Sequence, residues 1–315
     1  HYRVYSQPQQ AFWCCVGSGI ENHGKYGELV YAFDSSSLYL NLFIPSVLDW
    51  PQWGMQLTQQ TRFPFSRQTQ LALQMDAPRQ FTLKIRKPAW LSGELLVTVN
   101  GKKLSSIPEA SGYLIIKNTW KNGDTIKLTL PMATRGEPLP DGSPWMAFMH
   151  GPVLLAAATD TARIHMPGLA ADGSRWGHIA QGRLYAADDA PLLVLPNDSL
   201  RFSLPVKSPE HLQFSPGNFI YQEKYRNLTL MPFYKLHDAR YMLYWPYTTR
   251  HKLPALLADL ENKAATQKAL EAATLDVVYP GEQQPEADHY FEGEGTRTGM
   301  FRERHYREGR GWFSY

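Results

Sequence analysis

Apolar and polar residues alternate along much of the first half of the chain. The alternation runs through 55–62, 68–75 and 80–86, and the stretch 37–44 alternates before it becomes wholly apolar. A period of two places successive side chains on opposite faces of a strand. These stretches therefore predict half-buried β-strands, with 37–44 as a central strand.

Turn signals separate the alternating stretches. Asn100-Gly101 and Asn122-Gly123 each lie between two such stretches, and Asn-Gly favours the two-residue turn of a β-hairpin. Strands about ten residues apart with turns between them are typical of antiparallel sandwiches. The pattern predicts a mainly β fold with tandem antiparallel β-sandwich domains.

The second half of the chain continues this pattern and ends it with a helix. The apolar stretch 144–158 is broken by His150-Gly151-Pro152, which predicts two strands, and 240–245 predicts a buried strand. Residues 159–190 are polar and irregular, and a loop of that length is a candidate wall of a site. Ala, Leu, Lys and Glu at helical spacing in 253–274 predict a helix.

Composition narrows the classes of function. The chain of 315 residues is 43% hydrophobic and 13% aromatic, with a net charge of +3 and scattered basic residues. This predicts two or three domains with ample core, and no nucleic-acid partner. No run approaches the roughly 18 apolar residues of a membrane span. Two cysteines exclude a disulfide scaffold, and the oligomeric state is left open.

The two cysteines, Cys14 and Cys15, are adjacent. A thiolate is a nucleophile and a soft metal ligand, and two neighbouring thiolates can bind one Zn²⁺ if the backbone turns between them. The simpler interpretation is a pair of buried cysteines, because free cysteine packs as a small hydrophobic residue. A disulfide between them would be strained, since adjacent Cα atoms lie only about 3.8 Å apart.

The residues that follow favour a site over a plain core. Glycines in 16–19 permit close approach of backbone, and Glu21, Asn22 and His23 are polar groups that a core does not need. Glu21 and His23 are candidates for contact with substrate or for support of the site from behind. Their simpler alternative is a salt bridge or cap at a helix end, and Cys14 to Glu21 is not a standard ligand spacing.

The run 12–28, FWCCVGSGIENHGKYGE, resembles the cysteine-containing signature of the β-L-arabinofuranosidases of glycoside hydrolase families 127 and 146, once grouped as DUF1680. The resemblance continues through 233–245 and 281–289, in the order in which these blocks occur in the family. It implies an (α/α) barrel that carries the active site, with β-sandwich domains after it.

The resemblance also implies a metal site and a mechanism. In the family, one glutamate and three cysteines bind zinc, one of these cysteines is the nucleophile, and a second glutamate is the general acid/base. Carried over, Cys14 matches the nucleophile and zinc ligand, and Cys15 matches the neighbouring zinc ligand. The third cysteine and both glutamates match no position in this chain, so the zinc site is incomplete here.

The implied function is a retaining hydrolase that releases β-L-arabinofuranose from arabinose-containing plant glycans. The family implies a secreted or periplasmic enzyme, and this chain without the acid/base glutamate is expected to be inactive by itself. The alternative is a non-catalytic β-sandwich module that binds carbohydrate or serves as a scaffold. Two smaller motifs could be functional, but we favour a structural interpretation of each. The group Lys84, Arg86, Lys87 and Trp90 could bind sugar and is interpreted as a solvated strand face. The stretch 237–240 could be catalytic and is interpreted as a buried ion pair.

With the resemblance, the chain divides into five predicted parts. These are the C-terminal end of an incomplete catalytic barrel (1–34), a first β-sandwich (35–140), a second β-domain (141–250), a linker helix (251–275) and the start of a truncated accessory β-domain (276–315). Within the first part we expect a Cys-bearing loop, then a short helix, then a strand at 28–33.

Overall fold

A computed structural model describes residues 4–7, 13–160 and 190–273 of the chain. The described part is mainly β, and it has a helix near its C-terminal end, which confirms the predicted fold class. The predicted accessory domain (276–315), the family-like block 281–289 and nearly all of the predicted loop 159–190 lie outside the described residues. No helix of the described part is long and apolar enough to cross a membrane.

The first β-domain is built from two facing sheets. One has the strand order β1-β2-β6-β10-β9 and the other has the order β3-β4-β5-β11-β7-β8. The strands are β1 (Tyr31–Phe33), β2 (Ser37–Leu40), β3 (Ser46–Trp50), β4 (Met55–Thr61), β5 (Gln68–Met75), β6 (Arg79–Arg86), β7 (Leu96–Val99), β8 (Lys102–Lys103), β9 (Glu109–Ala110), β10 (Tyr113–Trp120) and β11 (Thr125–Thr129).

The alternation seen in the sequence sets which faces meet. Alternate residues of β5 and β6 are buried, and the apolar members of both sheets form one core around Trp120, which is 0% exposed. The indole Nε1 of Trp120 donates to the carbonyl oxygen of Phe81 at 3.2 Å, so the buried N–H has a partner. The predicted turn at Asn100-Gly101 joins β7 to β8, and both residues have the positive φ that this turn requires.

The second β-domain is one branched sheet with a path of seven strands, in the order β15-β21-β13-β14-β19-β18-β17, while β12, β16 and β20 pair off this path. Its strands are β12 (Thr134–Pro138), β13 (Trp145–His150), β14 (Val153–Asp160), β15 (Leu193–Leu195), β16 (Arg201–Phe202), β17 (Val206–Ser208), β18 (Gln213–Phe214), β19 (Leu230–Pro232), β20 (Arg240–Met242) and β21 (Tyr244–Thr249). As predicted, His150-Gly151-Pro152 separates two strands, β13 and β14, which pair antiparallel.

Strand β12 belongs to the sheet of the second β-domain. It lies inside the range 35–140 expected for the first sandwich, but it pairs with β13 and β16. The division into domains itself stays a prediction.

The two β-domains are in contact. Phe65, in the connection between β4 and β5, packs against the core of the second domain, and the Nζ atom of Lys235 lies 4.5 Å from the centre of its ring. Gly151 has a φ of 54°, and a Cβ there would lie 2.7 Å from the sulfur of Met132. This close approach places the β13–β14 turn against the end of the first domain.

Two α-helices are present among residues 4–7, 13–160 and 190–273. They are α1 (Cys14–Val30) and α2 (Leu253–Ala273), and α2 confirms the helix predicted at 253–274. The predicted Cys-bearing loop is wrong, because α1 begins at Cys14 and runs unbroken to β1. The glycines weaken helix propensity without forbidding the helix, since each costs only up to about 1 kcal/mol.

Candidate active site

Both thiols lie in the first turn of α1. The helix follows Trp13, which has an extended conformation and no side-chain cap, and the amides of Val16 and Gly17 bond to its carbonyl oxygen at 3.0 and 3.3 Å. Cys14 and Cys15 are free and exposed. The interpretation of the pair as buried apolar cysteines is therefore wrong for the described part of the chain.

The helix fixes where the other two candidates lie. Glu21 is seven residues after Cys14, which places it on the same face but two turns away, about 10 Å along the axis. His23 is nine residues after Cys14, and at 100° per residue it lies on the opposite side of the helix. The helix therefore does not bring Glu21 or His23 to the thiols, and their contact with substrate stays a prediction.

The second half of α1 is held by its own side chains. The Asn22 amide nitrogen donates to the Tyr26 hydroxyl at 2.7 Å, and the His23 ring meets the Tyr26 ring edge-on at 5.6 Å. Lys25 and Glu28 form an exposed ion pair at 3.2 Å, which contributes little to stability. None of these printed contacts is the salt bridge or cap at a helix end that was the simpler alternative for Glu21 and His23, so that alternative stays a prediction.

The donor set suits zinc but supplies only part of a site. Adjacent helical residues place two thiolates on one turn, and thiolates are preferred zinc ligands. A zinc site takes three or four protein ligands. Among residues 4–7, 13–160 and 190–273, no group of three or more His, Cys, Asp and Glu side chains could hold a metal ion. The zinc of the sequence prediction stays a prediction.

The motif at 237–240 is an exposed corner and not a buried ion pair. His237 and Asp238 are exposed, and Asp238 has a left-handed φ of 51°, whereas Ala239 and Arg240 are buried. The interpretation of Asp238 as half of a buried pair is therefore wrong. The Nδ1 atom of His237 lies 2.8 Å from the hydroxyl oxygen of Tyr5, a contact that no sequence signal indicated.

Lys84 of β6 and Lys87, just after that strand, are paired with acids and tyrosine. Lys84 bonds to the Tyr39 hydroxyl and lies 3.4 Å from Asp34, and the tyrosine raises the pKa of Lys84. The Ser36 amide, followed by the Tyr39 hydroxyl, holds the pKa of Asp34 well below its usual range. Lys87 pairs with Glu109 at 2.7 Å. The lysine pairs agree with the predicted strand face, whereas Trp90 packs against the first core and stacks on Phe63 with ring centroids 5.6 Å apart.

An open cavity of about 650 Å³ lies where β3 ends, β4 begins and β5 ends in the first β-domain. Asp49, Gln56 and Gln74 are paired residues of β3, β4 and β5, so their side chains form one row across three strands. Carboxylate and amide groups dominate the lining, and two buried methionines form part of its base; the lining residues are Asp49, Pro51, Gly54, Met55, Gln56, Gln74, Met75, Asp76 and Asn122. The alternation of β4 and β5 placed these glutamines on one face, but it did not indicate a cavity.

The first β-domain matches a known protein family. Residues 37–132 match the family described as "Beta-L-arabinofuranosidase, GH127 middle domain". This part of the chain is therefore similar to a GH127 middle domain. The resemblance to these β-L-arabinofuranosidases seen in the sequence is thereby confirmed.

Two further stretches of the chain match other families. Residues 135–247 match a domain of unknown function, DUF4986, which corresponds to the second β-domain, and residues 269–315 match a family of unknown function, DUF6805. No curated protein matches the chain.

Solved structures share the fold of the chain. A GH127 β-L-arabinofuranosidase from Geobacillus stearothermophilus T6 is 18% identical with a TM-score of 0.55, and the match covers 77% of this chain and 39% of that protein. A GH127 β-arabinofuranosidase is 19% identical with a TM-score of 0.54, covering 79% of this chain and 41% of that one. The chain therefore spans about two fifths of the length of these structures.

Proposed function

We propose that this chain is the part of a retaining β-L-arabinofuranosidase that carries its cysteine nucleophile, Cys14. The observation that carries the proposal is the pair of exposed thiols in the first turn of α1, directly ahead of a GH127 middle domain. The substrate would be an arabinose-containing plant glycan, and the enzyme would act outside the cytoplasm.

The chemistry proceeds in two balanced steps. The Cys14 thiolate attacks the anomeric carbon, so that a C–S bond forms and the glycosidic C–O bond breaks. The departing oxygen takes a proton from the acid/base carboxylic acid, which matches no residue of this chain. Water then attacks the same carbon and gives a proton to that carboxylate as the C–S bond breaks. The two inversions together retain the anomeric configuration.

Cys15 would hold the metal beside the nucleophile. Bound zinc would supply a positive charge that favours the thiolate form of both cysteines. Cys14 and Cys15 lie on one turn of the helix but point about 100° apart, so their side chains would have to converge to share an ion. The remaining zinc ligands and the acid/base glutamate match no residue of this chain.

The test compares two cysteine variants in the longer enzyme that includes the barrel. Cys14→Ser should abolish release of arabinose from an aryl β-L-arabinofuranoside, and mass spectrometry of wild type trapped with a slow substrate should place the sugar on Cys14. Cys15→Ser should lower zinc content and activity while leaving Cys14 available for labelling. Activity of Cys14→Ser near that of wild type would refute the nucleophile assignment.

An assay of the 315-residue chain alone tests whether the nucleophile lies in this chain and the acid/base glutamate lies outside it. It should show no turnover of the same substrate, because the acid/base glutamate matches no residue of this chain. Clear turnover by this chain would show that one of its own carboxylates performs that role.

The cavity over β3, β4 and β5 is the observation that favours the alternative function, a carbohydrate-binding module. Planar carboxylate and amide groups are the usual partners of sugar hydroxyls, and no basic side chain is among the lining residues. Affinity electrophoresis of the chain in arabinan and arabinoxylan gels tests it. The double variant Gln56→Ala/Gln74→Ala should abolish retardation, which would support a binding module. Gln70→Ala, on β5 with Gln74, is the control and should be retarded like wild type. Equal mobility of wild type, the double variant and Gln70→Ala would contradict the binding module.

A further inference from the structure

The two Asn-Gly turns of the first β-domain lie side by side and are bonded to each other. Asn100-Gly101 joins β7 to β8, and Asn122-Gly123 lies between β10 and β11, which belong to different sheets. The Asn100 amide nitrogen donates to the Asp124 carboxylate at 2.8 Å, and its amide oxygen accepts from the Thr125 amide at 2.8 Å. The residues after the second turn therefore hold the side chain of the first.

An asparagine followed by glycine can react with its own backbone. When a base in the solvent removes the N–H proton of the glycine, its nitrogen attacks Cγ of the asparagine. The bond from Cγ to the side-chain nitrogen breaks, the nitrogen takes up protons and leaves as ammonia, and a cyclic imide remains. Water then opens the imide to aspartate or isoaspartate, so one water is consumed for each ammonia released. Glycine favours the attack because it has no Cβ to obstruct the approach.

The Asn100 side chain is held against this reaction. Its Cγ can face the Gly101 nitrogen only if the side chain rotates, and that rotation breaks the bonds to both Asp124 and Thr125. Asp124 is itself fixed, because it is 3% exposed and its other carboxylate oxygen accepts from the Lys121 amide at 2.9 Å. Since one of the two bonds is to a carboxylate, we expect them to slow the reaction by about fiftyfold.

The Asn122 side chain is held much less firmly. Its amide oxygen accepts from the Met75 amide at 3.2 Å, at the long end of the range for such a bond. Asn122 and both of its neighbours are exposed, and a Cβ at Gly123 would meet no atom within 4 Å. The turn therefore has room for the attack, and a single weak bond should slow it by only about fivefold.

We propose that Asn122 is a site of spontaneous deamidation, and that Asp124 and Thr125 protect Asn100 from the same reaction. Asn122 lines the cavity of the first β-domain together with Asp49 and Asp76, so its deamidation adds a further carboxylate to that lining. The reaction depends only on the first β-domain, so it does not depend on the catalytic role of Cys14.

Peptide mass spectrometry of the 315-residue chain, stored in mildly alkaline buffer, tests both assignments. In concentrated urea the two asparagines should react at similar rates, because each precedes a glycine and no fold restrains either side chain. In the folded chain Asn122 should react about tenfold faster than Asn100. Equal rates in the folded chain, a faster reaction at Asn100, or no reaction at Asn122 while the unfolded chain reacts would each overturn the proposal.

The two aspartate variants form a matched pair that tests how firmly each side chain is held. Asn122→Asp keeps an oxygen for the Met75 amide and adds an exposed charge, so the Tm should change by less than about 2 °C. Asn100→Asp replaces the donor with a second carboxylate beside Asp124 and should lower the Tm by at least about 4 °C. Aspartate, like asparagine, tolerates the φ of 49° at this position, so the backbone is not the cause. Equal Tm values for the two variants would overturn the protection of Asn100.

Discussion

His150 should make the second β-domain lose stability as the pH falls from about 6.5 to about 4. The residue ends β13 and is 7% exposed. Its Nδ1 atom lies 3.1 Å from the Thr134 hydroxyl on β12, and its ring contacts the Phe214 ring at 4.8 Å. Burial, followed by the charge of Arg67, lowers the pKa of His150 from 6.5 to about 4.

The sign follows from proton binding. Between about pH 6.5 and 4 the unfolded chain binds a proton at this residue, and the folded chain does not. Folding is therefore favoured fully above pH 6.5, and the contribution is lost as the pH falls toward 4. The shift corresponds to about 3 kcal/mol at 1.36 kcal/mol per pH unit. Because water still reaches part of the ring, we expect about 2 kcal/mol.

The assay is urea unfolding at pH 7.5, 6.5, 5.5 and 4.5, followed by tryptophan fluorescence; Trp245 is fully buried in the same core as Phe214. His150→Gln removes the titration, so its free energy of unfolding should fall less between pH 7.5 and 4.5 than that of wild type, by about 2 kcal/mol. His211→Gln, at an exposed histidine of the same domain, should follow wild type. Parallel curves for wild type and His150→Gln would refute the reasoning, as would an NMR titration of the His150 ring near pH 6.5.

Three further predictions concern packing and charge. Trp120→Ala should lower the free energy of unfolding by about 3–5 kcal/mol in urea, because the side chain is fully buried in the first core; a cost below about 1 kcal/mol would contradict that placement. Gly217→Ala should destabilise by at least about 1–3 kcal/mol, since a Cβ there would collide with the carbonyl oxygen of Arg226. Gly93→Ala, where the nearest contact is Pro131 at 3.8 Å, should by comparison be close to neutral, and equal Tm shifts for the two would refute the distinction. Glu28→Gln breaks only the exposed pair with Lys25 and should change the Tm by less than about 2 °C; a larger shift would show that the pair is not simply solvated.

Local patterns were enough to predict most strands of the first β-domain. The stretch 68–75 is β5 as predicted, and 55–62 and 80–86 differ from β4 and β6 by one residue at one end. Asn100-Gly101 predicted a hairpin because its preferred backbone conformation depends on those two residues alone. The adjacent cysteines indicated reactive chemistry, and both thiols are exposed.

The errors arose where distant residues decide the outcome. Glycine content predicted a loop at the cysteines, yet α1 starts at Cys14, since helix propensity is a weak influence that the rest of the fold can override. The charged neighbours of Asp238 suggested a buried pair, but the packing of Leu236 and Ala239 leaves Asp238 outside the core.

By itself the sequence determined the mainly β fold, the positions of most strands of the first β-domain and the presence of a thiol pair, because each depends on residues within a few positions of one another. Only the tertiary structure decided that Asp49, Gln56 and Gln74 form one row, that β12 joins the second sheet and that His237 meets Tyr5. Pairing partners far apart in the chain leave no mark on the local pattern, so these arrangements follow from which apolar faces can be buried together.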